Sequence, residues 1–247
     1  MQLEQFFQQN PRAALGFSGG VDSAYLLYAA KKCGADIRPY FIQTAFQPQF
    51  ELDDAKRLTE SLGIPLTVLK LDVLSCPTIA SNPSDRCYHC KTALFGRLKA
   101  QAMHDGYRLL LDGTNASDDA GDRPGMRALR ELSVRSPLRE CGLTKPEIRQ
   151  LSKEAGLFTW NKPAYACLAT RIPSGHAITA DTLRRVEGAE TALFALGFSD
   201  FRVRVYHNAA RIQLKPAQMA QAVARRSEIV RCIQPYFSAV FLDLEGR

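Results

Sequence analysis

The chain has 247 residues, enough for one full domain and part of a second at ~150 residues per domain, and its 46% hydrophobic and 23% charged residues exclude a disordered or collagen-like chain. Lys and Arg total 32 against 25 Asp and Glu, a net +7 that favours anionic partners such as nucleotides, phosphorylated metabolites or RNA without choosing among them. Seven cysteines, an odd number, behind a polar Gln-rich opening argue against a secreted disulfide scaffold and for the cytosol, and no apolar run reaches the ~20 residues of a membrane span. In chain order, a short apolar strand is predicted at 13–17, followed by Ser18-Gly19-Gly20-Val21-Asp22-Ser23 and a helix at 24–32 that Gly34 stops. A strand at 38–44, a helix at 52–62 closed by Gly63 and a strand at 66–71 come next. A long amphipathic helix is predicted at 87–103, then a buried strand at 109–111 leading into Asp112-Gly113-Thr114-Asn115. Thr144 and Glu147 form a capping box, with Pro146 early in a helix that ends at Gly156. This βαβα alternation implies an α/β fold with a parallel sheet covered by helices. Beyond Trp160 the composition shifts. Residues 161–175 read as irregular, 180–196 and 216–232 as helices, and 201–206, 211–214 and 239–244 as strands. The expected division is a first domain at 1–165 and a small α+β domain at 166–247.

The segment from Ser18 to Ser23 joins a strand to a helix. Gly19 and Gly20 let backbone N–H groups approach an anion, and the helix N-terminus adds partial positive charge. The hydroxyls of Ser18 and Ser23 can donate to phosphate, and Asp22 can hold Mg²⁺. The Gly-Lys-[Ser/Thr] ending of a Walker A loop is absent. A tight turn with no ligand is the alternative. The stretch resembles the SGGxDS signature of the PP-loop ATP pyrophosphatases. That resemblance implies a doubly wound sheet with ATP at the carboxyl ends of its strands, cleaved between the α and β phosphates.

Cys87 and Cys90 are three apart at the start of a predicted helix, where the helix end favours thiolates, and Cys167 lies in an irregular stretch near Lys162 and Arg171. Three thiolates suit a [4Fe–4S] cluster with one open iron. A zinc site completed by His89 or His176, a Cys87–Cys90 redox disulfide and three ordinary thiols are the other readings. Cys33, Cys76, Cys141 and Cys232 show no comparable spacing and read as core or spectator residues.

Five further segments occur in order: Asp85-Arg86-Cys87-Tyr88-His89-Cys90-Lys91, Asp112-Gly113-Thr114-Asn115-Ala116, Arg123-Pro124-Gly125-Met126-Arg127-Ala128, Ser136-Pro137-Leu138 and Ala166-Cys167-Leu168-Ala169-Thr170-Arg171-Ile172-Pro173. Together they resemble the LarE family, the sulfur transferases that mature lactate racemase, from about Gly16 to Gly246. The resemblance implies ATP-dependent adenylation of a carboxylate of a pyridinium dicarboxylate mononucleotide and its conversion to a thiocarboxylate, toward a nickel-pincer nucleotide. It implies ATP and Mg²⁺ at Ser18, Gly19, Gly20, Asp22, Ser23, Thr44 and Gly113. It also implies a [4Fe–4S] cluster on Cys87, Cys90 and Cys167, where members with one cysteine use the match of Cys167 as a consumed sulfur donor. A homo-oligomer is expected, and neither a membrane nor a nucleic acid is. The family motif Asp-Leu-x-Gly is matched by Asp243-Leu244-Glu245-Gly246, after which a longer tail is expected and Arg247 follows.

Between Phe201 and Ile233 there are seven cations and one acid, Glu228. Arg202 and Arg204 share a strand face, a fork for phosphate or carboxylate, and the resemblance assigns them to substrate anion binding together with the acidic Glu190. A solvated strand face and a solvated surface glutamate are the bland readings. Trp160 and Tyr165 either stack on a pyridinium ring or pack in the core. A tRNA-thiolating PP-loop enzyme, an ATP-dependent amidotransferase or ammonia ligase, and a non-enzymatic nucleotide or cluster sensor are the competing functions.

Overall fold

The chain opens on α1 (Leu3–Gln9), where Leu3, Phe6 and Phe7 fall at helical spacing and bury the two phenylalanines. The polar stretch predicted there hides this stripe. β1 (Arg12–Gly16) follows, then α2 (Val21–Lys32), β2 (Asp36–Gln43), α3 (Gln49–Ser61), β3 (Thr67–Lys70), α4 (Pro77–Ala80), α5 (Arg86–His104) and β4 (Leu110–Leu111). After these come α6 (Pro124–Glu131), α7 (Pro137–Glu140) and α8 (Lys145–Glu154). The computed structural model describes residues 2–118 and 124–247; Arg123, from one of the family-like segments, lies outside them.

Two units emerge from the contacts, Met1–Val73 with Asp85–Lys162 and Leu74–Ser84 with Pro163–Arg247. In the first, four parallel strands run in the order β3-β2-β1-β4. Side chains alternate between two buried faces. Ala13, Leu15, Ile37, Phe41 and Leu111 join one core with α1, α2, α3 and α8, while Ala14, Tyr40 and Leu110 join Leu98 and Ala102 of α5 in the other. The sheet is therefore wound on both sides, as expected. Pro39 lies in β2 before the β3 ladder begins at Tyr40, so its missing N–H breaks no pair on that side. The predicted capping box holds: the Thr144 side chain accepts from the third helical backbone N–H, and Thr144 N donates to Glu147 at 2.8 Å.

In the second unit α9 (Ala180–Ala195) precedes a hairpin of β5 (Arg202–Tyr206) and β6 (Ala209–Gln213). α10 (Pro216–Ala224), α11 (Arg226–Ile233) and β7 (Ala239–Leu242) complete it, with β6 antiparallel to β5 and parallel to β7. The single helix predicted at 216–232 is two. The backbone leaves helical geometry at Arg225 (φ −100°, ψ 21°), whose guanidinium donates to the Leu196 carbonyl at 2.6 Å. Residues 74–84 join this unit through Asn82, which is buried and donates to the carbonyls of Ile172 and Pro173, and through Ile178 N on the Ala80 carbonyl. Among the described residues no helix is long and apolar enough to cross a membrane.

Candidate functional site: an anion loop and a buried ion-pair cluster

β1 lies between β2 and β4, and the crossovers leave it in opposite directions, so the crevice at its carboxyl end is where an open α/β sheet binds ligands. The loop Ser18–Ser23 sits there. Gly19 has φ +70°, and a Cβ on it would come within 3.1 Å of the Glu51 carbonyl and 3.2 Å of Ala55 N, so α3 leaves room for glycine alone. Gly20 is the N-cap of α2, and Asp22 and Ser23 belong to the first turn of that helix, which begins three residues earlier than predicted. Ser23 is 3% exposed; its hydroxyl donates to the Gly20 carbonyl and accepts from Ser18 N. It braces the loop from within, whereas Ser18 is exposed.

At the end of β4 the Asp112–Asn115 turn packs on the same helix start. A Cβ at Gly113 would meet Ser23 N at 3.0 Å and Asp22 Cβ at 3.4 Å. Asp112 is buried and accepts from the hydroxyls of Thr114 and Ser136, which ties the Ser136-Pro137-Leu138 segment to the turn. Asn115 donates to Asp22 Oδ1 at 3.3 Å, and Lys145 Nζ pairs with Asp22 Oδ2. Thr44, at the end of β2, is buried; its hydroxyl donates to Gln47 and accepts from Phe46 N. Lys162, expected beside Cys167, directs its ammonium group to Asp54 and to the Gly19 carbonyl at 3.3 Å.

None of the seven cysteines is in a disulfide. Cys87 and Cys90 lie one turn apart in the first turns of α5; Cys87 is exposed and its sulfur accepts from the buried Arg86 at 3.6 Å. His89 pairs with Asp85 at 3.2 Å. The stem of Lys91 lies 3.2 Å from where a Cβ on Gly125 of α6 would stand. Cys167 belongs to the second unit, where it heads a 3-10 turn, Leu168–Arg171. Among the described residues no three His, Cys, Asp or Glu side chains are grouped to hold a metal ion. Burial pushes the thiols of Cys33, Cys141 and Cys232 up, the opposite of what a nucleophile needs.

Around Cys167 the structure overturns two bland readings. Glu190 is no solvated glutamate. It is 2% exposed and accepts from Arg171 Nε at 2.8 Å, Arg171 Nη2 at 3.0 Å, Val203 N at 2.9 Å and the Tyr165 hydroxyl. Arg171 itself donates to the Ala166 and Cys167 carbonyls, so the ion pair fixes the backbone at Cys167. Burial works against the Arg171 charge, and Glu190 more than offsets it, raising its pKa; Tyr165 and Cys167 act in the same direction. Nor is Arg202 on a solvated face. It is buried, donates to the Phe201 and Ala164 carbonyls, and, like Arg171, stands over the Tyr165 ring, the two at 5.5 and 4.6 Å from its centroid. That occupies Tyr165. Trp160 lies in the first unit, beneath the Lys153 ammonium.

Arg204 donates to Thr170 O at 2.8 Å and lines a cavity of about 270 Å³ with Arg171, Pro173, Val205, Tyr206 and Arg211. Burial and the neighbouring Arg171 and Arg211 hold the pKa of Arg204 below the usual arginine value, and burial and Arg171 do the same for Arg202. Crowded cations of this kind gain from a bound anion. The predicted basic excess is otherwise partly neutralised: Arg211 pairs with Asp243, Lys215 with Asp200 and Arg225 with Glu228. Lys145 has no role in the sequence reading, while Asn115 enters it only within the Asp112–Asn115 turn and Arg211 only among the seven cations between Phe201 and Ile233. For Lys145 a signal existed, because a lysine at the first position of a capped helix opposes the helix dipole.

Residues 12–91 match the family described as queuosine biosynthesis protein QueC. The chain is 39% identical over 252 aligned positions to an uncharacterized protein of Synechocystis, covering 99% of this chain and 92% of that one. It is 34% identical to the pyridinium-3,5-bisthiocarboxylic acid mononucleotide synthase of Lactiplantibacillus plantarum, covering 95% of this chain and 86% of the synthase. A tRNA-specific 2-thiouridylase of Pseudothermotoga lettingae is 28% identical and covers 59% of this chain and 52% of its own. With the parallel sheet, the glycine-bound loop at its switch point and these similarities together, the chain belongs to the LarE family and is an ATP-dependent sulfurtransferase of the PP-loop type.

Proposed function

We propose that the protein adenylates a carboxylate of a pyridinium dicarboxylate mononucleotide and replaces one of its oxygens by sulfur, as a cytosolic step toward a nickel-pincer nucleotide. What supports this most is the likeness to the L. plantarum synthase along 95% of the chain. A carboxylate is a poor electrophile because attack on it must expel oxide. Its oxygen attacks the α-phosphorus of ATP, the bond to the β-phosphate breaks and pyrophosphate leaves. The backbone amides of the loop at Ser18–Gly20 and the start of α2 stabilise the departing charge. A sulfur nucleophile then attacks the acyl carbon and AMP leaves, giving the thiocarboxylate.

The Asp22 carboxylate, held by Asn115 and Lys145, is a hard oxygen donor suited to Mg²⁺. Cys87 and Cys90, one turn apart on α5 and in no disulfide, suit two cluster positions and Cys167 a third. A [4Fe–4S] cluster on these cysteines would supply a renewable sulfide. Arg171 positions the Cys167 backbone, and Arg204 and Arg211 offer the anionic substrate a cationic wall. Anaerobic assay of pyrophosphate release tests the reading. It predicts release that depends on ATP and on the pyridinium substrate; release driven instead by tRNA would move the assignment to thiouridylation, the activity named for the more distant relatives.

A further inference from the structure

The loop at Ser18–Ser23 lacks the lysine that ends a Walker A loop, yet a polyphosphate brings several negative charges that two serines and a helix end do not balance. The fold carries two lysines to this loop from far along the chain. Lys145, the first residue of α8, reaches Asp22 on one side, and Lys162 reaches Asp54 and the Gly19 carbonyl on the other. Each lies in the first unit and keeps part of its side chain in solvent, 29% for Lys145 and 16% for Lys162.

Lys145 stands where the α8 dipole disfavours a cation, although the capping box at Thr144 and Glu147 is otherwise well suited to a helix start. A residue that breaks a local rule inside a well-formed motif marks a site where another requirement wins. The anchoring is deliberate in geometry: Lys145 N donates to Ser117 Oγ at 2.9 Å, and Ser117 N donates to Asn115, the residue that also holds Asp22. An ammonium group has three N–H donors, and Asp22 takes one from Lys145.

We propose that Lys145 and Lys162 are the phosphate-binding lysines of this loop, held by Asp22 and Asp54 and shared with the β and γ phosphates when nucleotide binds. The inference rests on the ATP reading. It assigns the lysines to the pyrophosphate moiety, so it separates ATP and pyrophosphate from AMP.

Calorimetric titration of the full chain with ATP, pyrophosphate and AMP, each with Mg²⁺, tests it. Lys145→Met and Lys162→Met are expected to weaken ATP and pyrophosphate at least about tenfold each, and AMP less than about twofold. Asp54→Asn frees Lys162 and is expected to bind ATP at least as tightly as the wild type. Unchanged ATP affinity in both methionine variants overturns the inference, and so does an equal loss of ATP and AMP, the mark of a purely structural pair. Should a methionine variant fail to fold, a tenfold loss of ATP in Asp54→Asn overturns it independently. A wild type that binds neither ATP nor pyrophosphate overturns the nucleotide reading itself.

Discussion

Replacing Glu190 by alanine removes the anion from the most deeply buried ion pair described in the molecule. Arg171 would keep its charge at a side-chain exposure of 0%, with two donors that now point at nothing, and Val203 N and the Tyr165 hydroxyl would each lose an acceptor. Breaking a buried pair by deleting one partner costs about 3–5 kcal/mol. A domain of this kind has about 5–15 kcal/mol of stability in all, so the variant should lose roughly a fifth of it or more. Glu190→Gln retains the shape and one acceptor oxygen, and should lose about 1–3 kcal/mol. Urea unfolding followed by circular dichroism measures both, with the unfolding slope unchanged if the loss is in the folded state. Because the chain forms two units, the shift should fall in the transition that includes the second. A loss below about 1 kcal/mol in the alanine variant would refute the reasoning, since Arg171 would then be reaching water that the packing denies it.

Gly113→Ala places a methyl 3.0 Å from Ser23 N, so ATP affinity should fall at least about tenfold while the second unit melts unchanged; calorimetry and thermal unfolding check it. Thr144→Ala removes one half of the α8 capping box and should cost about 1 kcal/mol in urea unfolding. The Gln213 hydrogen bond holds the Asp243 carboxyl below its ordinary range against burial, aided by Glu245 N, Arg211 and Arg204. Its folded pKa is depressed, so its stabilisation is present above ~3.9, the unfolded value, and is lost as pH falls through the folded pKa. Asp243→Asn should flatten the acid limb of stability between those two values. Anaerobic reconstitution with iron and sulfide should give brown protein whose iron is lost in Cys87→Ala, Cys90→Ala or Cys167→Ala; colourless wild type contradicts the cluster.

The sheet was legible because its strands alternate between two buried faces, so Ala13-Ala14-Leu15 and Leu110-Leu111 read as continuous apolar runs. The loop was legible because its glycines and serines are consecutive. Glu190 shows what a local reading overlooks: Val186 and Leu193, four before it and three after, are both buried and share its helix face. The periodicity already placed the carboxylate inward; what it lacked was the partner, Arg171, nineteen residues away. For Lys145 too it was the partner that was hidden, by a longer separation, since Asp22 is 123 residues from it. The break at Arg225 was hidden because it depends on a carbonyl of Leu196, outside any helical pattern at 216–232. Association of 74–84 with the second unit rests on Asn82 bonding residues ninety positions on, which no local signal encodes.

The central claim is that ATP activates a carboxylate for sulfur transfer. Anaerobic mass spectrometry of product and protein, with ATP, Mg²⁺ and the pyridinium substrate, measures it most directly. The account predicts AMP and pyrophosphate in step with a product heavier by the replacement of one oxygen by sulfur, and a protein mass unchanged after many turnovers. Loss of the elements of H₂S from Cys167 after one turnover would replace the renewable carrier by a consumed cysteine. AMP and pyrophosphate formed without any sulfur in the product would contradict the claim.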